Sequence, residues 1–113
     1  MRGSLAGMDV PTVSIDEIPE DAHLVDVRED DEWAAGHAER AQHLPVTELA
    51  ERYGELPAEE QLYVICRSGG RSARAVAWLN QSGYTAVNVA GGMGEWQARG
   101  LPLVGDSDDP HVI

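Results

Sequence analysis

The 113-residue chain has no lysine and no phenylalanine, a single cysteine, and no long apolar run. Each absence closes off a class of function. Without lysine there is no Walker-type nucleotide loop, which needs that cation on the phosphates. One cysteine allows no internal disulfide and excludes a multi-cysteine zinc site, and the four histidines form no metal-ligand cluster, so no metal is expected. Basic charge is scarce too: eight arginines stand against 20 acidic residues, for a net charge of −12. That balance argues against nucleic acid and anionic membranes, both of which call for a basic surface. The N-terminal MRGSLAGMDV lacks the apolar centre of a secretory signal, and nothing approaches the ~18 apolar residues of a membrane span. A cytoplasmic location is expected.

What is present is an aliphatic, one-domain composition, 42% hydrophobic, with alanine and branched side chains in place of aromatics. Short apolar runs alternate with helix-like segments. The strand candidates are Thr12-Val13, His23 to Val27, Gln42 to Leu44, Leu62 to Cys66 and Ala86 to Val89. Nearly continuous runs of this kind suit strands covered on both faces. Between them, Ser14 and Glu17 have capping-box spacing, Asp30 is placed to cap a helix over 31–35, and Thr47 to start one running to Tyr53. The longest predicted helix covers Ser72 to Ser82, with Gly83 beyond its end, and a short one covers Met93 to Ala98. Such alternation predicts an α/β fold with right-handed crossovers and a parallel sheet. Residues 1–11 read as an N-terminal tail, 12–103 as the domain, and 104–113 as an acidic C-terminal tail.

The charge is unevenly spread. No acidic residue occurs from Gln61 to Gly94, and Arg67, Arg71 and Arg74 fall inside that island together with the only cysteine. The stretch reads Val64-Ile65-Cys66-Arg67-Ser68-Gly69-Gly70-Arg71-Ser72. Cys66 ends a predicted strand, and in parallel sheets ligands bind at that carboxyl edge. Gly69 and Gly70 permit successive N–H groups to curl around one point, and a helix starting near Ser72 adds its free donors and partial positive charge. A thiol at such a focus is stabilised as thiolate, the nucleophilic form. An inert buried cysteine has no use for these neighbours.

These residues resemble the active-site loop of rhodanese-like domains, the single-domain sulfurtransferases. Also similar are Leu24 to Glu29 (LVDVRE), Glu32 to His37 (EWAAGH), Ser82 to Gly92 (SGYTAVNVAGG) and Trp96, so that the resemblance spans about residues 12–102. One departure is the turn Gly36-His37-Ala38-Glu39-Arg40-Ala41, where many relatives read Gly-His-Ile-Pro-Gly-Ala. The resemblance implies a five-stranded, mostly parallel sheet with helices on both faces. It implies a sulfurtransferase in which Cys66 takes a sulfane sulfur from a small anionic donor such as thiosulfate and holds it as a persulfide. The acceptor is then external (a thiol, cyanide or a protein cysteine), and neither metal nor organic cofactor is required. Arg67, Ser68, Gly69, Gly70, Arg71 and Ser72 are expected to bind the donor and the persulfide, and Asp26 and Arg28 to brace the loop. Four residues separate Cys66 from Arg71, one fewer than in tyrosine phosphatases, which favours sulfur over phosphoryl chemistry. The alternatives are a sulfur-carrier or docking module with weak thiosulfate turnover and, less favoured, a phosphatase or arsenate reductase.

Overall fold

The computed structural model describes residues 10–113, so the N-terminal tail lies almost wholly outside the described residues. Five strands, β1 (Thr12–Val13), β2 (His23–Asp26), β3 (Gln42–His43), β4 (Gln61–Ile65) and β5 (Thr85–Val89), form one sheet in the order β1-β5-β4-β2-β3. Every adjacent pair is parallel, which sharpens the expected "mostly parallel" sheet. The helices are α1 (Asp30–Ala35), α2 (Leu49–Arg52), α3 (Gly70–Gln81) and α4 (Gly92–Ala98). Parallel neighbours cannot be joined by hairpins, so each connection crosses a face of the sheet and brings the chain back to the same end.

The period of two along each strand sorts the aliphatic residues into two cores. Val25, Val27, Leu62, Val64, Cys66 and Ala86 pack on one face with Ala75, Val76 and Leu79 of α3. Leu24, Ile65 and Val89 pack on the other with Met93 and Trp96 of α4. Each fully buried aliphatic side chain contributes about 1.5–3 kcal/mol of burial energy, so the missing phenylalanine is replaced by number.

Element ends differ from expectation in physically readable ways. Helix α3 begins two residues early, at Gly70, because Gly69 adopts a left-handed conformation (φ 115°) and turns the chain into the helix at once. The cap of α1 is Glu29 rather than Asp30, and the Glu29 N–H donates to the Glu32 carboxylate at 2.9 Å. The helix expected from Thr47 to Tyr53 is a single α turn flanked by the 3-10 turns Val46–Glu48 and Tyr53–Glu55.

The segment 104–113 lies back on the body. Val104 bridges His37, the N–H of Asp106 donates to the Ala34 carbonyl and that of His111 to the Ala35 carbonyl. These are carbonyls that the end of α1 leaves without helical partners. Val112 is buried in the second core. The close passage requires Gly36, where a Cβ would strike the backbone of His111.

Candidate active site

Cys66 is the first residue past β4 and opens the loop that leads into α3. The root of that loop is clamped by α4, whose Met93 N–H donates to the Cys66 carbonyl (2.7 Å) and Gly94 N–H to the Arg67 carbonyl (2.9 Å). Gly92 makes the clamp possible. Its φ is +56°, and a Cβ there would overlap both carbonyl oxygens. With its carbonyls tied down to α4, the loop presents N–H groups to the sulfur.

Three donors converge on Cys66 Sγ: the Gly69 N–H at 3.1 Å, the Ser72 Oγ at 3.3 Å and the Ser72 N–H at 3.4 Å. Burial pushes the thiol pKa up, since the residue is 1% exposed. The Ser72 hydroxyl and the N–H groups of Ser72, Gly69 and Ser68 more than offset this, and the thiol sits below its ordinary value. The sulfur is therefore buried, yet its ionisation to thiolate, the state required of a nucleophile, is favoured relative to a free cysteine.

Asn88, on β5, is a member of the site with no counterpart among the sequence-predicted residues. The Ser72 hydroxyl, whose one proton is shared between Cys66 Sγ and Asn88 Oδ1, lies 2.5 Å from that oxygen, and the Asn88 Nδ2 donates to the Gly69 carbonyl at 3.2 Å. It is buried two positions beyond Ala86, on the face that carries Cys66. A polar residue in an otherwise apolar strand was the only available signal.

The remaining loop residues divide. Arg71 Nη1 and Nη2 form a two-pronged pair with the Glu32 carboxylate at 2.7 and 2.9 Å. Hydrogen bonding to Arg71 draws the Glu32 pKa down to about 2, against burial, with Arg28 contributing a smaller attraction. Arg71 in turn is held charged by Glu32 first and, less strongly, by the Cys66 sulfur and Glu29. Arg67 is exposed, and its Nε donates to the Ile113 backbone oxygen at 2.8 Å, away from the sulfur. Ser68 takes part through its main chain, and Gly70 begins α3.

The expected bracing by Asp26 and Arg28 is corrected. Asp26 is in register with Ile65, so its side chain shares the face opposite Cys66. Arg28 is wholly buried and bonds Asp26 through Nε and Nη2, the latter at 2.8 Å, and the Gly36 carbonyl at 2.7 Å. The pair ties the end of β2 to the turn after α1. Among the described residues neither side chain bonds the Cys66 loop, and Arg28 acts on the site through its attraction for Glu32 of α1. Glu32, four positions beyond Arg28, pairs with Arg71 instead. Among the described residues no group of three or more metal-binding side chains is gathered.

A family model for the Rhodanese-like domain matches residues 14–99. Among curated proteins, one of Allochromatium vinosum named as a sulfurtransferase is 42% identical over 86 residues, covering 75% of this chain and 80% of that protein. YtwF of Bacillus subtilis, provisionally named a sulfurtransferase, is 37% identical over 86 residues, covering 76% of this chain and 84% of its own. Among solved structures, a rhodanese-related protein of Thermoplasma volcanium superposes with a TM-score of 0.78 at 33% identity, over 83% of this chain and 97% of that one.

Proposed function

Because the chain belongs to the rhodanese-like domain family of sulfurtransferases, we propose that it moves a sulfane sulfur through a persulfide on Cys66. The convergence of the Gly69 N–H, the Ser72 N–H and the Ser72 hydroxyl on one buried sulfur carries this reading. The thiolate attacks the outer sulfur of a donor such as thiosulfate. A Cys66–sulfur bond forms, the donor's sulfur–sulfur bond breaks, and its electron pair leaves with sulfite. The new terminal sulfur carries the negative charge and takes up the loop donors, a double displacement with a covalent intermediate. An external thiol, cyanide or protein cysteine then attacks that sulfur, and Cys66 departs as the thiolate it began as.

The site calls for no histidine as base, because the loop donors lower the thiol pKa and favour the thiolate. Arg71 supplies the cation whose charge couples to the sulfur, whereas Arg67 is exposed and bonded to the Ile113 backbone oxygen. With a single cysteine, no internal disulfide can discharge the intermediate.

Intact mass tests the reading directly. Thiosulfate should add one sulfur atom to reduced protein, cyanide should remove it, and Cys66→Ser should take up none. No mass change on wild type with thiosulfate or an alkyl persulfide overturns the assignment. Loading without multiple turnover identifies a sulfur carrier, and aryl phosphate hydrolysis lost in Cys66→Ser identifies a phosphatase.

A further inference from the structure

The Glu32–Arg71 pair stands where an anionic donor would bind. Arg71 is the cation whose charge couples to the sulfur, yet both of its terminal nitrogens are already committed to a carboxylate. Glu32 comes from α1, 39 residues away in sequence, and its side chain is only 15% exposed. It is fixed from behind as well, since Oε1 also accepts the Glu29 N–H. Glu29, Asp30 and Asp31 precede it on the same turn. With the sulfur ionised, the group formed by Cys66, Arg71 and Glu32 has a net charge of −1. Thiosulfate, a dianion, meets an arginine whose charge is already matched by a carboxylate.

We propose that Glu32 is a specificity-determining residue, an internal anion on Arg71 that screens small free anions away from Cys66. Resting on the sulfurtransferase reading, this assigns the preferred donor to a class of lower charge than dianionic thiosulfate: an alkyl hydropersulfide, at most a monoanion, which reacts at its outer sulfur in the protonated form. The chemistry balances. Cys66 bonds to the outer sulfur, the donor's sulfur–sulfur bond breaks, its pair leaves on the donor thiolate, and the proton stays on the transferred sulfur until it exchanges with solvent.

Glu32→Gln is the discriminating variant. Glutamine keeps the acceptor oxygen for the Glu29 N–H and for one Arg71 N–H, and both residues suit that capping position. The charge is lost, and with it the second Arg71 bond, since the amide Nε2 turns a donor toward Arg71 Nη2. In steady state, the KM for thiosulfate should fall about tenfold, as expected for one charge removed from a partly screened site, with kcat nearly unchanged. A raised KM or a kcat loss of the same size would mean that Glu32 orients Arg71 for the donor, and would overturn the screen.

A second measurement needs no sulfur transfer. Iodoacetate and iodoacetamide alkylate the same thiolate and are nearly equal in size, so the ratio of their rates cancels any change in thiol pKa and isolates the charge. That ratio should rise about tenfold in Glu32→Gln. In wild type it should also rise with added salt, which screens the carboxylate, and it should rise more than in the variant. An unchanged ratio in the variant together with no salt difference overturns the screen, whatever the sulfur assays show. Absence of sulfur loading from both thiosulfate and an alkyl persulfide overturns the sulfurtransferase reading and, with it, the donor class.

Discussion

Two carboxylate–guanidinium pairs stand at the carboxyl edge of the same sheet, and they do different work. Asp26–Arg28 is sealed, with both side chains at 0% exposure, on the face opposite the cysteine. Glu32–Arg71 stays partly open, at 15% and 29%, beside the sulfur. Their bond lengths are alike, 2.8 Å against 2.7 Å at closest approach. Geometry therefore does not separate them; solvent does. A pair without water cannot exchange partners, because each ion released would stay buried and unpaired. A pair at a wet margin can give up its carboxylate to water or to an incoming group. The sealed pair is architecture, holding β2 to the turn after α1. The open pair is available for control of the site.

Breaking the sealed pair should give the largest effect. Arg28→Met keeps most of the side-chain volume but strands the Asp26 carboxylate in the interior, and leaves the Gly36 carbonyl without its donor. Loss of one member of a buried pair costs about 3–5 kcal/mol. We expect a single cooperative unfolding transition shifted down by that amount in urea. A loss below about 1 kcal/mol would show that water reaches Asp26 and would erase the contrast between the pairs. Among the described residues Arg28 Nη1 has no partner, so Arg28→Met,Asp26→Leu together should recover much of the loss, as buried pairs replaced as units often do.

A middle-sized effect lies at the sulfur, next to the open pair. Ser72→Ala removes the hydroxyl donor at 3.3 Å and leaves the two N–H donors in place. The thiolate loses stabilisation while burial, which opposes it, is unchanged, so the thiol pKa should rise. At neutral pH the thiolate fraction, and with it the rate of alkylation by iodoacetamide, should fall about three- to tenfold. The full pH–rate curve should shift to higher pH without losing its plateau. A lowered plateau would assign the serine to access instead of charge.

These distinctions were unevenly legible in sequence. The Cys66 loop was readable because its parts are local: the end of a strand, two glycines and a helix start occupy consecutive positions, and the backbone donors follow from that order. Helix α3 and the strands followed from aliphatic runs in the same way. Asn88 was hidden because its role depends on β5 lying beside β4 in a register that places it on the face of Cys66, and no single strand carries that information. Asp26 and Arg28 were recognised as a unit but expected to brace the Cys66 loop, since their parity relative to Cys66 appears only once Asp26 is aligned with Ile65. Glu32 could not be matched to its partner from spacing, because Arg71 lies 39 residues on and meets it only through the fold. The segment 104–113 was read from composition as a tail, yet it is held by main-chain bonds to α1, which composition does not register.

The smallest effect concerns the acid side of stability, where the open pair leaves its own trace. The Glu32 carboxyl titrates at about 2 in the folded protein against 4.5 for an unperturbed glutamate, chiefly because Arg71 bonds its charged form. Between those values the unfolded chain binds a proton that the folded chain refuses. The stabilisation is therefore complete above about pH 4.5 and drains away as pH falls toward 2. Solvent at the mouth screens the pair, so its share should be about 1 kcal/mol. Urea unfolding of wild type and Glu32→Gln from pH 6 down to pH 2.5 should give two curves that differ modestly at pH 6 and converge as the acid limit is approached. A constant gap would mean that Glu32 stabilises the fold through its shape and its bond to Glu29, not through its charge. A gap as large as that of Arg28→Met would place both pairs in one class, and the contrast from which they were distinguished would be gone.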